Sequence, residues 1–470
     1  MRPTYLGKIL LHWCDNCFVP VLAPLCSCGS ATREVCITPP GDARPAFPYD
    51  IRFINNIFEE TFGGNLIPDG TLVLLNKAPD PDRMEEIIIG GAVVGAIRYD
   101  TKKQSWEALP RIYSYSLVKP KKRYIIVDDG AVTSIRDDGS SLLAPGLVFI
   151  DPHVRAGDEV YLVSKNMECI GVGRAKVDAK TALTMKKGSI VRTRKNAPAV
   201  FKEGNATWDD AVRSNQPALD EFVSSSCMFI ENVVNDNPNL CLTISYSGGK
   251  DSLATLLLVL QVVGKVPMLF ADTGFEFKET YENIEKVSKL YDLPVIRTDG
   301  NTKFWERFNE EGPPARNFRW CCRVCKLNPL SEIINAKIGN CLTFVGQRKY
   351  ESQTRKQSPR VWRNRNIPAQ LACAPIQHWT ALHVWLYIMQ EKAPYNILYE
   401  QGLDRIGCYM CPSSDLGVIE HVKQSHPQLW CEWEEKVIKW GIEHGFQPGW
   451  AENGGWRIRG QSGYETDNNC

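Results

Sequence analysis

The stretch Ser245-Tyr246-Ser247-Gly248-Gly249-Lys250-Asp251-Ser252-Leu253-Ala254-Thr255-Leu256-Leu257-Leu258 decides how the second half of the chain is read. Leu240 to Ile244, just before it, is short, apolar and β-branched, the pattern of a buried strand. Leu253 to Val263 reads as a largely buried helix. Ser247, Gly248 and Gly249 then form a tight turn at the N-terminus of that helix. Glycines let the backbone approach a ligand closely, and a helix start offers unpaired N–H groups and positive dipole charge. Lys250 adds a formal charge, so the turn suits a phosphate or sulfate. Two adjacent glycines alone are equally compatible with a plain capped connection. The full run Ser245 to Ser252 after a strand is more specific, and it lacks the spacing of a Walker loop.

Downstream, strands and helices alternate: Val266 to Ala271 as strand, Thr280 to Tyr291 as helix, Pro294 to Ile296 and Cys341 to Val345 as strands. This predicts an α/β fold with a parallel sheet covered on both faces, whose ligands sit beyond the strand C-termini. Three loops leave strands there: Ser245 to Ser252, Asp272-Thr273-Gly274, and Gly346-Gln347-Arg348. Asp272 is placed to contact ribose, adenine or a metal, or to cap its own turn. In the run Val345 to Arg355, helical spacing puts Arg348, Ser352 and Arg355 near one face, and arginine forks match phosphate and sulfate oxygens. The turn resembles the PP-loop of the nucleotide α-hydrolases, which implies an adenylyl nucleotide as ligand.

The chain has 470 residues, 43% hydrophobic and 23% charged, with net charge +1: globular, too long for one core, and not globally basic. No apolar stretch reaches membrane-span length, and the N-terminal segment lacks the apolar core of a signal peptide, so a cytoplasmic location is expected. Seventeen cysteines, many in close pairs, point in such a chain to metals more than to disulfides. Cys14, Cys17, Cys26 and Cys28 have the spacing of a zinc ribbon with one structural tetrahedral ion.

Six divisions are expected: a zinc ribbon over 1–40, a mixed α/β region over 41–122, a small β-barrel over 123–197, a linker and helix over 198–230, the α/β domain over 231–420, and a helical tail over 421–470. In the second, Phe47 to Phe62 reads as helix, Thr71 to Leu75 as strand, and Ile87 to Ile97 as a strand pair. In the third, the pieces Tyr124 to Val127, Ala131 to Ile135, Gly146 to Ile150, Glu159 to Val163 and Ile170 to Val177 read as short strands. Asn196 to Asp209 reads as linker and Ala218 to Val234 as helix. The segment from Ala144 to Lys195 resembles the PUA domain of RNA-modifying enzymes, carried by the Arg155-Ala156-Gly157-Asp158-Glu159 turn and by Gly171, Gly173 and Arg174. That resemblance implies RNA, and tRNA in particular, as a partner, with Lys186, Lys187, Arg192, Arg194 and Lys195 as a basic stripe for phosphates.

Two further cysteine groups are Cys321, Cys322 and Cys325, then Cys408 and Cys411. With the Ser245–Ser252 turn, the arginine run Val345 to Arg355 and the run Pro375 to Ile388, they resemble the adenylyl-sulfate and phosphoadenylyl-sulfate reductase family over roughly 239–414. The resemblance implies a [4Fe–4S] cluster on Cys321, Cys322, Cys408 and Cys411. Spacing alone favours a Cys322/Cys325 pair instead, and zinc competes as the metal. It further implies reduction of activated sulfate to sulfite with a thioredoxin-like thiol donor, with Lys250, Arg348 and Arg355 at the reacting centre and Gly274 in the nucleotide site. The family's C-terminal Glu-Cys-Gly-x-His segment does not occur. Cys431 is expected to pack among Trp430 and Trp433, and Cys470 lies on a polar tail. Lys250 brings the turn closer to ATP pyrophosphatases, so the alternative is an ATP-dependent, thiolation-type tRNA-modifying enzyme.

Overall fold

A computed structural model of the chain describes residues 8–194, 200–301 and 303–459. Lys195 of the basic stripe and Cys470 lie outside the described residues. The chain divides into two compact units, 1–216 and 217–470.

In the first unit a three-stranded antiparallel sheet is centred on Leu11–Cys14, flanked by Val19–Val21 and Arg33–Val35. A five-stranded antiparallel sheet follows, running from Arg44–Pro45 through Leu74–Lys77, Met84–Ile89 and Ala92–Asp100 to Ser105–Pro110. The helix Pro48–Phe62 covers it, with Pro48 at its first turn, Asp50 accepting from the Phe47 N–H, and Gly63 as the left-handed cap. Ile54, Phe58 and Phe62 of this helix join Ile87, Val94 and Ile97 in a common core. The first strand of this sheet to follow the helix begins at Leu74, so the expected strand over 71–75 is shifted three residues along. The third sheet has six strands in the order Leu142–Leu143, Ser189–Arg194, Cys169–Ala175, Glu159–Val163, Tyr124–Val127, Leu147–Ile150. Ala131 to Ile135 is not one of them. It belongs to the helix Asp129–Asp138, because Asp128 accepts from the Gly130 N–H at one end and Gly139 takes the left-handed cap at the other. The β-branched run is overruled by its caps.

In the second unit a six-stranded sheet runs Val295–Arg297, Met268–Phe270, Cys241–Ser245, Cys341–Val345, Ile367–Cys373, Val361–Asn364. All neighbours are parallel except the last pair. Ser245 stands level with Leu269 on one side and Val345 on the other, so the loops that follow these three strands leave the sheet at one height. The helix Lys250–Val263 is buried along most of its length beside the central strand. Helices Leu416–Ser425 and Pro427–Glu443 pack with Phe275, Phe304, Trp320 and Cys325 in an aromatic-rich core. The helix Trp208–Asn235 begins ten residues before the expected Ala218, with Pro217 inside it.

Candidate active site at the strand ends

Gly248 adopts φ +74°, and a Cβ there would stand 3.0 Å from the Thr280 methyl; glycine serves both the conformation and the space. Gly249 is extended and caps the helix that Lys250 begins. Ser252 donates through Oγ to the Gly249 carbonyl at 2.7 Å and accepts from the Ser247 N–H at 3.3 Å, which closes the turn on itself. The Lys250 N–H donates to the Tyr399 hydroxyl at 2.9 Å. Tyr399, fully enclosed and stacked edge-on against Trp385, thus holds one of the helix-start amides, and nothing in its sequence neighbourhood signals that role.

Three charges meet beside the turn. Lys250 Nζ reaches Asp251 Oδ2 at 2.7 Å and Arg348 Nε reaches Asp251 Oδ1 at 2.7 Å, with Lys250 only 7% and Arg348 4% exposed. Burial alone would raise the Asp251 carboxyl. The two cations outweigh it and hold the carboxyl down at about 2. Gly346 makes this meeting possible: a Cβ there would lie 2.5 Å from the Asp251 backbone, so the third strand's loop touches the start of the helix. In the same loop the buried Nε2 of Gln347 has no hydrogen-bond partner among the described residues.

The expected single helical face for Arg348, Ser352 and Arg355 does not form. Arg348 is extended, a short 3₁₀ turn follows over Lys349–Glu351, and Ser352 is extended again, with its Oγ accepting from the Arg355 N–H to start the helix Gln353–Gln357. Ser352 is a helix cap, and a cap interrupts the helix it was expected to continue. Arg348 is therefore buried against Asp251, while Arg355 is a half-exposed partner of Glu351. Asp272 spends both oxygens internally: Oδ1 accepts from the Gly274 N–H and from the Tyr281 hydroxyl, each at 2.8 Å, and Oδ2 pairs with Arg297.

The second cysteine group adjoins these loops. Cys321 and Cys322 lie on a helical turn that continues as a π-turn over Arg323–Leu327, bearing Cys325. Cys408 and Cys411 are joined by a Cys411 N–H bond to the Cys408 carbonyl at 3.1 Å. Cys408 Sγ is 3.4 Å from Thr273 Oγ1, and Ile406 stands 4.0 Å from where a Gly249 Cβ would be, so this segment runs between the glycine turn and the second loop. The four thiols feel one another: a hydrogen bond with Cys322 and burial raise Cys321, and Cys322, Cys408 and Cys411 add to it. Cys322 falls to about 6, chiefly through its bond with Cys321, against burial, helped by Lys326, Arg319 and Arg405. Burial lifts Cys408 to about 11 and Cys325 to about 12. The half-buried Lys326, a residue with no signal in sequence, is raised chiefly by Cys408. Four of these thiols thus stand on two segments beside the strand-end loops, with Lys326, Arg319 and Arg405 acting on Cys322.

In the first unit, Cys14, Cys17, Cys26 and Cys28 converge, their sulfurs all within 4.8 Å of one another, an arrangement that can hold a metal ion. Cys14 and Cys28 are 3.7 Å apart, Cys17 and Cys26 3.9 Å, and the Cys17 N–H points at Cys14 Sγ. Four sulfurs about 2.3 Å from one tetrahedral ion stand about 3.8 Å apart. Cys431 does not pack among its tryptophans: it is exposed on the helix Pro427–Glu443 and bonds Glu435, while Trp430 and Trp433 turn inward. Of the basic stripe, Arg192 is exposed and Arg194 is paired with Glu159. No helix among the described residues is long and apolar enough to cross a membrane.

A parallel sheet that presents a Ser-Gly-Gly-Lys-Asp-Ser turn at a helix start defines a PP-loop nucleotide-binding domain. Residues 241–414 match the phosphoadenosine phosphosulfate reductase domain and residues 123–196 the PUA domain. The chain belongs to the phosphoadenosine phosphosulfate reductase family through its C-terminal domain and carries a PUA domain ahead of it. It is 39% identical over 468 residues to an uncharacterized protein of Methanocaldococcus jannaschii, covering 97% of each chain. It is 31% identical over 173 residues to an adenosine 5′-phosphosulfate reductase of a Geobacillus species, covering 36% of this chain and 72% of that one. Among solved structures, phosphoadenylyl-sulfate reductase from Candida auris is similar at 21% identity over 42% of this chain and 97% of that chain, with TM-score 0.33. A PUA domain protein from Thermoplasma acidophilum is similar at 24% identity over 32% and 91%, with TM-score 0.27.

Proposed function

We propose that the second unit binds an adenylylated sulfate and reduces it to sulfite with a thiol donor. The observation that carries this reading is the closeness of the cysteine-bearing segment to the strand-end loops: Cys408 Sγ is 3.4 Å from Thr273 Oγ1, and Ile406 lies 4.0 Å from where a Cβ on Gly249 would stand. It sets an anion cradle beside the thiols. Ser245, Ser247, Gly248, Gly249, Ser252 and Gly274 shape the nucleotide site, with Lys250 and Arg348 facing the anionic tail and Asp251 fixing both cations. Asp272 and Arg355 border the site. Cys321, Cys322, Cys408 and Cys411 would hold a [4Fe–4S] cluster, which when bound supplies fixed charge next to the tail. A thiolate of the donor attacks the sulfate sulfur, the S–O bond to phosphate breaks, and the adenosine phosphate leaves. A second thiolate then attacks the sulfur of the S-sulfo thiol, releasing sulfite and leaving a disulfide; the donor supplies both electrons. In the first unit the four N-terminal cysteines hold one structural zinc ion.

A second reading is favoured by the PUA match over 123–196: an ATP-dependent tRNA-modifying enzyme that releases pyrophosphate. One experiment separates the two. Protein prepared without oxygen is given adenylyl sulfate or its 3′-phosphorylated form with a dithiol, and sulfite is assayed. In parallel it is given ATP with and without tRNA, and pyrophosphate is assayed. Sulfite formed without RNA establishes the reductase. Pyrophosphate that requires tRNA, with no sulfite, overturns it in favour of the modification enzyme.

A further inference from the structure

The N-terminal cysteine group touches a helix at a point where that helix is short of a hydrogen bond. Pro217 lies inside the helix Trp208–Asn235 and has no N–H, so the carbonyl of Arg213, four residues earlier, cannot take its usual helical bond. That carbonyl accepts instead from Ser27 Oγ at 3.1 Å, and the next carbonyl, of Ser214, accepts from the Ser27 N–H at 3.2 Å. Ser27 sits between Cys26 and Cys28, so its position is set by whatever those two cysteines bind. A second grip lies one residue on. Asn215, 1% exposed, donates to the Pro20 carbonyl at 2.9 Å and accepts from the Leu22 N–H at 2.7 Å, on the strand-end segment that joins the two cysteine pairs.

We infer that the metal-holding turn is a clasp on a proline-opened helix: the ion fixes Ser27, and Ser27 satisfies the Arg213 carbonyl that Pro217 leaves without its helical partner, while also gripping the Ser214 carbonyl. This rests on the reading of the four cysteines as a zinc site, and it assigns that site a mechanical task. A bare ribbon would satisfy only its own backbone. Here both donors of the residue between two ligands are spent on another element.

The test uses the full chain and follows backbone hydrogen exchange over 208–216, with zinc, after its removal, and in two variants. Metal content is counted at each step, and cobalt is substituted for zinc to read the ligand set from its visible spectrum. Removing zinc should speed exchange in this window by about tenfold, the scale of one to two net hydrogen bonds. Ser27→Ala should keep the metal and the tetrathiolate cobalt spectrum yet speed exchange by about threefold. Pro217→Ala gives the Arg213 carbonyl a partner inside the helix, so zinc removal should then change exchange there by less than about twofold. A protein that binds zinc but whose 208–216 amides ignore both zinc removal and Ser27→Ala overturns the clasp and leaves the zinc reading standing. A protein that takes up neither zinc nor cobalt on these cysteines overturns both.

Discussion

The two cysteine groups draw on the same side chain and are housed in opposite ways. The N-terminal four stand on turns between short strands, their sulfurs mutually within 4.8 Å, with Cys28 exposed and Gly29 beside open space. The group at the strand ends is spread over a helical turn and a distant loop, and it is walled by Phe275, Trp320, Tyr409 and Met410. Lys326, Arg319 and Arg405 surround it. Sulfur count is nearly the same in both, so count does not decide chemistry. A self-contained knuckle suits one ion and stabilises locally. On the proposed reading, a group assembled by tertiary packing and ringed with cations holds a larger anionic assembly that acts on what binds beside it.

The largest effect that would sharpen this contrast is on turnover. Cys322→Ser should abolish bound iron and lower turnover by about a hundredfold or more, with zinc content unchanged. Iron and zinc analysis with the sulfite and pyrophosphate assays reads it. If the variant keeps its iron, Cys322 is not a ligand and both the adjacent pair and the Cys322/Cys325 pair are wrong; Cys321→Ser separates those two pairs, because iron should be lost from it only if the adjacent pair holds the cluster.

Next comes the mirror experiment. Cys17→Ser should release the N-terminal metal and destabilise the first unit by on the order of 3–5 kcal/mol, read by denaturant unfolding. Adenine-nucleotide affinity, measured by calorimetry at a temperature where the variant stays folded, should change by less than about twofold. An equal loss of nucleotide binding would break the contrast, because the N-terminal group would then serve the reacting site.

How much of this was legible in the sequence depends on how local each cause is. The strand, glycine turn and helix around Ser245–Ser252 could be read because the β-branched run, the glycines and the apolar helix are contiguous. The convergence of three loops could be read from the alternation of elements, and the level register of Ser245 with Leu269 and Val345 delivers it. The N-terminal knuckle was legible because its four ligands sit within one short segment. The arginine face failed because one serine preferred to cap a new helix, a competition that helical spacing does not register. Ala131 to Ile135 failed because Asp128 and Gly139 define a helix around β-branched residues. Tyr399 carried no signal at all, and Gly346, although its loop was expected at the strand ends, gave none of its close approach to Asp251, since both act by contact with residues far away in the chain. The partners of Asp251 were half visible: Lys250 is its neighbour, but Arg348 arrives only through the sheet.

The glycines beside the two groups extend the comparison to packing. Gly300 is not in a left-handed conformation, yet a Cβ there would lie 2.2 Å from the Cys325 carbonyl oxygen and 2.7 Å from that of Asp272. Both obstacles are backbone, so Gly300→Ala must displace either the π-turn that carries Cys325 or the second loop. We expect a loss of about 2 kcal/mol in the stability of the second unit, by urea titration, with iron occupancy falling in parallel. Full iron retention would show that the strand-end group has more slack than its packing indicates.

Gly29, next to Cys28, is the smallest and most discriminating case. Its φ is +83°, its N–H closes the knuckle on the Cys26 carbonyl at 2.9 Å, and nothing lies within 4 Å of a Cβ built there. Gly29→Ala therefore meets no obstacle and carries only the cost of a left-handed alanine, about 1 kcal/mol, part of which is returned by the stiffer unfolded chain. The variant should keep its metal at full stoichiometry and unfold at slightly lower denaturant, with turnover unchanged. Loss of the ion from Gly29→Ala would mean the knuckle depends on that turn as tightly as the strand-end group depends on Gly300. The two groups would then differ in chemistry alone and not in how their surroundings hold them.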